Sequence, residues 1–510
     1  MQLEDQSEVI RFLSDPSTYG ATDKVEVIET HISVVFLVGD RAFKLKRAVK
    51  LPYADFSTPD LRRHYCQREL ELNGRAAPEI YRAIRRITRS RDGSLVFEGS
   101  GEPVDFVVEM LRFDQRDLFD RMAADHRLTT AIMEETADRI IAFHKTAPIM
   151  HTEGGAANIA GVLAINEAGF QTSHVFDDAV IEALNRRFRQ MLDQHATLLN
   201  QRETHGCVRL CHGDLHLRNL FFGADGPRMF DCIDFNDKIA TIDTLYDLAF
   251  LLMDLWHGGE KHFANIVMNR YLDRTDEEIG LALLPFFMAV RAAIRAHVTG
   301  TRIEEDGDHD GSLTASAVSY VDLASDLLKK QQPVLIALGG LSGSGKSTLA
   351  EHLAPKLGLP PGARIQESDR IRKAMFGTPP REKLPLQAYQ PEVSARVYGD
   401  LVRRSIEAAS GGAAVIVNAV FDRPEDRQMI EQAALDHGIV LHGFWLDVDR
   451  QTLIKRVKVR PKGVSDADLD VLEKQLSKDI GEMGWTRVDA SRAMEDVGRD
   501  ILRSVTVSGC

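Results

Sequence analysis

The chain is poor in cysteine and tryptophan, with 5 and 3 among 510 residues. So few thiols, odd in number, make no disulfide scaffold and fit a reducing compartment. His205, Cys207, Cys211, His212 and Cys232 lack a paired C-x-x-C spacing, so they read as ordinary buried side chains rather than a zinc site. The start, MQLEDQSEVIRF, has no basic stretch followed by an apolar core, and no secretory signal is expected. Apolar windows such as LALLPFFMAV, before Arg291, stop short of the ~20 residues that a membrane helix needs. Positive charge is not in excess either: 63 Lys and Arg against 76 Asp and Glu give a net charge of -13. That balance argues against broad adhesion to nucleic acid or anionic membrane. A cytoplasmic protein without a membrane partner is the expectation, with nucleic acid disfavoured. No internal repeat is visible.

What is present is a globular composition, 44% hydrophobic and 27% charged, in a chain too long for one ordinary core. Composition shifts after Arg302, where EEDGDHDG puts five acids and two glycines into eight residues. The stretch has the oxygens of a calcium loop without EF-hand spacing, and it reads as a solvated turn or linker. A helix, SAVSYVDLASDLLKK, follows, and Pro333 opens a new apolar strand. The expected division is therefore 1–302, a linker and connecting helix over 303–332, and 333–510.

In the first part, SVVFLVGDRAFKLKRA predicts two strands joined at Gly39-Asp40-Arg41, with Lys44 and Lys46 on one face. PDLRRHYCQRELELNGRAAP predicts a helix with a stop signal at Asn73-Gly74. A strand pair ending in FVVEML comes next, and Glu109-Met110-Leu111 can be read either as a hinge receiving adenine or as a buried strand. The rest is mostly helical, apart from strand-like VRLC, NLFFG and RMFDCIDF.

CHGDLHLRNLFF, at Cys211 to Phe222, sets Asp214 two residues after His212 and Asn219 five residues later, and then runs into an apolar strand. With CIDF following, this matches H-G-D-x-x-x-x-N and I-D-[FW], and the region from about 25 to 300 resembles the aminoglycoside phosphotransferase family, relatives of the protein kinases. The resemblance implies an α+β bilobal kinase-like fold using ATP and Mg2+. Phosphoryl transfer is mainly positioning plus charge neutralisation, so it needs magnesium ligands, a cation on the phosphates and a carboxylate for the attacking hydroxyl. By the resemblance Asp214 is that carboxylate, and Asn219 and Asp234 are the hard-oxygen magnesium ligands, with Asp231 in the same strand as the alternative. The phosphate-binding lysine is Lys44 or Lys46, held by Glu69 with Glu71 in reserve. No G-x-G-x-x-G precedes Lys44; ETHIS, Glu29 to Ser33, occupies its place.

In the second part, VLIALGGLSGSGKSTLAEHL fits G-x-x-x-x-G-K-[ST] between an apolar strand and a helix. Gly340, Gly343 and Gly345 let backbone N–H groups close around phosphates, Lys346 reaches the outer phosphates, and the Ser347 hydroxyl reaches magnesium, with Thr348 beside them in the nucleotide-binding set. RIQESDRIRKAMFG, VIVNAVFDRPEDR and LIKRVKVRPKGVSDADL extend the pattern. Residues 333 to about 490 resemble the small P-loop kinases that include gluconate, shikimate and polynucleotide 5'-hydroxyl kinases and the zeta-toxin group. The resemblance implies an α/β P-loop fold with a parallel sheet. Asp369 would accept the substrate proton, Arg372 would bind an anionic substrate, and Arg456 and Arg460 would close over the phosphates. Asn418 stands where aspartate is expected.

The expectation is a two-domain, bifunctional ATP-dependent kinase acting on hydroxyl groups of small molecules, its domain order resembling bacterial predicted-kinase fusion proteins. Two rivals stand beside it: one active kinase joined to a nucleotide-sensing module, motivated by Asn418, and a kinase acting on nucleic acid or protein.

Overall fold

Alternating apolar residues build the first sheet. In the computed structural model, which describes residues 4–51, 54–275, 277–379, 382–459 and 465–507, the order of its strands is β1-β2-β3-β8-β6-β7. These are β1 Glu26–Glu29, β2 Ser33–Val38, β3 Arg41–Lys46, β6 Tyr81–Arg89, β7 Leu95–Phe97 and β8 Pro103–Leu111, with the small pair β4 Lys50–Leu51 and β5 Ala54–Asp55 between. The turn at Gly39 has φ +56°, and register pairs Val35 with Lys44 and Ser33 with Lys46. One face buries Val34, Phe36, Phe43, Leu45, Ile87 and Val107. Glu109 to Leu111 lie inside β8, paired with β3 and in part with β6.

The helix Pro59–Ala76 begins with Thr58 accepting from the Leu61 amide at 3.3 Å and has proline in its first turn. It runs through Asn73-Gly74 rather than stopping there. Asn73 is buried, donates to the Glu69 carbonyl at 3.1 Å and accepts from the Cys232 amide at 2.8 Å. Those bonds override the local stop signal.

Later come β9 Val208–Leu210, β10 Leu220–Gly223, β11 Gly226–Met229 and β12 Thr241–Asp243. The expected strand RMFDCIDF is corrected: it ends at Met229, because Asp231 adopts a left-handed φ of +61° and turns the chain out of the ladder.

Two compact units emerge, Met1–Val162 with Gln194–Asp254, and Leu163–Asp193 with Leu255–Cys510. The second contains a five-stranded parallel sheet, order β14-β15-β13-β16-β17, from β13 Val334–Gly339, β14 Arg364–Glu367, β15 Ala414–Asn418, β16 Leu441–Asp447 and β17 Thr486–Asp489. Ile336, Leu338, Ile416 and Leu446 pack against helix residues Leu349, Leu353, Val497 and Ile501.

The acidic stretch is exposed, apart from a half-buried Asp308, and non-helical over 307–311, with only its first three residues drawn into a helix. The helix Leu284–Asp306 extends into it, and Asp308 and Asp310 accept from the Thr314 and Ser312 amides at 2.8 and 3.0 Å, capping the helix Ser312–Leu327. The helical run Glu278–Asp306 is longer and more apolar than its sequence windows suggest. By length and composition it could cross a membrane, yet 72% of its most apolar window is buried within the fold.

Arg62 is wholly buried, bonding Asp105 at 2.7 Å, the Phe56 carbonyl at 3.1 Å and Glu4 at 2.9 Å. Burial pushes the Asp105 carboxyl above its ordinary value even with Arg62 and Gln6 bonded to it. Arg62→Met strands that carboxylate and should cost roughly 3–5 kcal/mol. Urea unfolding checks this, and an unchanged midpoint would contradict it.

Candidate active sites

Strand alternation puts Lys44 and Lys46 on one face of β3, and the helix Pro59–Ala76 brings Glu69 beneath them. Glu69, 1% exposed, pairs with Lys44 at 2.9 Å and Lys46 at 2.8 Å. Lys44 also meets Asp231 at 2.6 Å, and Lys46 meets Asp234 at 2.5 Å. The two lysine–aspartate choices left open by the sequence are thus two parallel pairs on one glutamate. The Lys46 pair is the buried one, whereas the Asp231 side chain is 48% exposed. Burial disfavours the Lys46 ammonium, but Glu69 and Asp234 outweigh it and hold it charged above its ordinary range. Burial likewise opposes the Glu69 carboxylate, and the two lysines bring it down to about 2. Burial, with Glu69 close by, pushes Asp234 up to about 6. Glu71 faces away, bonded to Gln67 and Arg68. A cavity of about 540 Å³ opens beside Asp234, lined also by Lys50, His64 and Arg68.

In the Cys211–Asn219 loop the Asn219 amide nitrogen donates to both the carbonyl and Oδ2 of Asp214, each at 2.9 Å. The atom left to meet a ligand is the Asn219 carbonyl oxygen, a hard donor that suits magnesium. Asp214 is 40% exposed, with His216 Nε2 at 3.3 Å from Oδ2. Buried His212 donates from Nε2 to the Phe230 carbonyl at 2.9 Å while Nδ1 accepts from the Asp214 amide at 3.3 Å. Both ring nitrogens are used as a neutral imidazole uses them, and burial lowers its pKa accordingly.

Sequence reasoning missed Asp247, which is fully buried in the helix Thr244–His257. Its Oδ2 accepts from the His212 amide at 3.1 Å and its Oδ1 from the Gly213 amide at 2.9 Å, with His144 Nε2 at 3.1 Å from Oδ2. The signal was an acid inside the apolar run TLYDLAFLL. His144, Cys211 and Asp247 have ligand atoms within 4.8 Å of one another, but these two amides already occupy both Asp247 oxygens. Cys207, Cys232, His205 and His212 do not join that group.

In the second unit Gly340, Gly343 and Gly345 have φ of +146°, +86° and +96°. A Cβ on Gly340 would lie 2.8 Å from Ser344 Oγ and 3.0 Å from the Leu446 carbonyl, so only glycine fits. Lys346 Nζ donates to the Gly340 and Leu341 carbonyls at 2.8 and 3.1 Å, curling over the loop, and Thr348 is exposed in the following helical turn. Ser347 Oγ donates to Glu367 Oε1 at 2.5 Å, and the Asn418 amide reaches Ser347 Oγ and Glu367 Oε1, each at 3.0 Å. Glu367 is the second missed residue: it ends β14, two before Asp369, and brings to Ser347 the carboxylate that Asn418 lacks. Ser347 Oγ and Glu367 form a hard-oxygen set that fits magnesium.

Asp369 lies in the first turn of the helix Ser368–Met375; burial, with Glu367 close by, raises its pKa despite a bond to Ser465. Arg372 is buried and its Nη1 is tied to the Ala388 carbonyl at 2.6 Å and Ser394 Oγ at 3.2 Å, its guanidinium 5.0 Å above the Tyr389 ring, while the buried Nε has no partner among the described residues. Arg456, on the helix Arg450–Val459, reaches the Ala490 carbonyl at 3.1 Å and the Ser344 carbonyl at 3.5 Å, across the glycine loop. Arg460 lies outside the described residues.

Comparison with known proteins agrees with this double construction. Residues 106–281 match the family model described as phosphotransferase enzyme family, and residues 335–478 match the model described as AAA domain. The chain thus carries a kinase-like phosphotransferase domain followed by a P-loop domain. An uncharacterized protein of Mycobacterium tuberculosis, Rv2004c, is 28% identical over 458 residues, covering 88% of each chain. Among solved structures, a choline/ethanolamine kinase family protein from Mesorhizobium loti aligns at 13% identity and TM-score 0.41, covering 64% of this chain and 95% of that one. A gluconokinase from Sinorhizobium meliloti aligns at 22% identity and TM-score 0.25, covering 35% and 94%.

Asp247→Ala removes the acceptor of two buried amides, at roughly 1–3 kcal/mol each. Amide exchange at His212 and Gly213 should accelerate by at least tenfold; protection equal to wild type would show that Asp247 does not hold the loop.

Proposed function

We propose that the chain is a bifunctional ATP-dependent phosphotransferase, each domain moving the γ-phosphate of ATP to a hydroxyl of a small molecule. The observation that carries this reading is the duplication of one chemical set on two unrelated scaffolds. Each has lysine beside backbone or carboxylate partners, hard oxygens for a metal, and a carboxylate available to a hydroxyl.

In the first domain Lys46, fixed by Glu69, neutralises the nucleotide phosphates, with Lys44 as its neighbour, and Asn219 and Asp234 would hold magnesium. Asp214 orients the substrate hydroxyl and takes its proton while the new O–P bond forms and the bond from phosphorus to the ADP oxygen breaks. In the second, Gly340, Gly343 and Gly345 cradle phosphates with Lys346 and Thr348, while Ser347 and Glu367 would hold magnesium. Asp369 takes the hydroxyl proton, a role its raised pKa supports, and Arg456 and Arg460 cover the phosphates. Arg372 would bind an anionic substrate, with its unpartnered Nε available for that contact. Bound with ATP, magnesium supplies charge neutralisation on the β- and γ-phosphates. Glu367 supports an active P-loop domain over a sensor only, since its carboxylate would stand in for the aspartate expected at Asn418. The acidic chain favours small molecules over nucleic acid, and a cytoplasmic setting fits such substrates.

The test is transfer of labelled γ-phosphate from ATP into a small-molecule extract by wild type, Asp214→Ala and Lys346→Ala. Each variant should lose a different labelled product, by roughly 10²–10⁴-fold for the loss of Asp214. Full turnover by both variants on the wild-type products would refute the reading. Labelling confined to oligonucleotides or proteins would replace small molecules as the substrate class. Within the first domain, Lys46→Ala should lower turnover more than Lys44→Ala, because Lys46 alone joins Glu69 to Asp234; the reverse order would reassign the phosphate-binding lysine.

A further inference from the structure

The helix Lys261–Thr275 carries Asn265, Asn269 and Asp273 at four-residue spacing, which puts them on one face. That face lies along β14, the edge strand of the parallel sheet. The Asn265 amide donates to the Ala363 carbonyl at 3.0 Å, and Asn269 Oδ1 accepts from the Ile365 amide at 2.8 Å. Arg364, 2% exposed, pairs with Asp273 at 2.7 Å and Glu278 at 2.6 Å. The helix therefore serves the P-loop sheet, although it lies in the segment matching the phosphotransferase family model.

From Asp273 a continuous line of charged hydrogen bonds reaches the glycine loop. Asp273 Oδ2 meets Arg370 at 2.7 Å, and Arg370 Nε donates to Glu367 Oε2 at 2.8 Å. The opposite oxygen, Oε1, accepts from Ser347 Oγ at 2.5 Å and the Asn418 amide at 3.0 Å. Each Glu367 oxygen thus has one direction imposed on it, and the direction of Oε2 is set from Asp273. Charge-assisted bonds of this kind are the strong ones, and their geometry fixes the plane of a carboxylate.

We propose that Asp273 and Arg370 are positioning residues of the P-loop site: together they hold Glu367 so that Oε1 faces Ser347 and the metal-bound nucleotide. This rests on the reading of Ser347 and Glu367 as the magnesium side of that site. Without the Asp273 charge, Arg370 has Glu367 as its counter-ion and draws the carboxylate toward itself. Glu367 would then offer a metal a misoriented and partly neutralised oxygen. Outer partners of this type, when removed, weaken metal affinity by about 10–100-fold.

The experiment uses the full chain carrying Asp234→Asn in every variant, which removes the charged metal ligand proposed for the first domain and gives all the titrations one background. Mn2+ is titrated in the presence of ATP and free Mn2+ is read by electron paramagnetic resonance. ATP affinity in EDTA is measured in parallel by displacement of a fluorescent analogue. In this background Asp273→Asn and Arg370→Gln should each raise the half-saturating Mn2+ by about 10–100-fold and leave metal-free ATP affinity unchanged, a split that a merely structural defect would not produce. Arg370→Gln keeps the Asp273–Arg364 pair and decides the matter if Asp273→Asn does not fold. Unchanged Mn2+ half-saturation in the folded variant, with Glu367→Gln raising it, overturns the positioning role and leaves the P-loop reading intact. If Glu367→Gln is also silent and Lys346→Ala leaves metal-free ATP affinity as in wild type, the P-loop reading itself fails and the proposal falls with it.

Discussion

A carboxylate taken out of water must be answered by cations or hydrogen-bond donors, and both sites of this chain depend on that constraint. Glu69 sits between two lysines, Asp247 between two backbone amides and a histidine, and Glu367 between a hydroxyl, an amide and an arginine. Each answer draws partners from separate stretches of sequence, so satisfying the charge also fixes the elements that carry it. The Lys46–Glu69 pair ties sheet to helix. The Asp247 bonds tie the HGD loop to a helix more than thirty residues away.

Much of this was legible in sequence, for identifiable reasons. The β2–β3 hairpin, the glycine loop and the parallel strands follow from two-residue alternation, turn residues and apolar runs, all local signals. Asp214, Asn219 and Ser347 stand out as candidates because their spacing is a local pattern too. What escaped was non-local. Asn73 looked like a helix stop because its bond to the Cys232 amide cannot be seen in its neighbours. Asp231 and Asp234 looked like one strand because a left-handed residue is not announced by an aspartate. Asp247 and Glu367 are single acids whose partners lie far off in sequence.

The choice between Lys44 and Lys46 shows where sequence reading is undecided by nature rather than by oversight. Alternation puts both on one face, and both reach Glu69. Depth separates them: Lys46 lies in the fully buried pair with Asp234, while Lys44 meets an aspartate close to half exposed. A similar lesson attaches to Asn418, whose own lack of charge is a local fact while the Glu367 carboxylate beside it comes from the neighbouring strand.

The polar stripe on the helix Lys261–Thr275 also governs what the P-loop sheet would be without it. β14 is an edge strand, and edges with unpaired backbone groups are templates for pairing between molecules. Here Asn269 occupies the Ile365 amide, and Asp273 and Glu278 neutralise the Arg364 guanidinium. A fragment begun at the start of β13 would bare both the strand edge and a cation otherwise buried in the fold. Its first liability would be self-association, so the shortest soluble piece of the second domain should begin upstream of Asn265, inside what the sequence reads as the first.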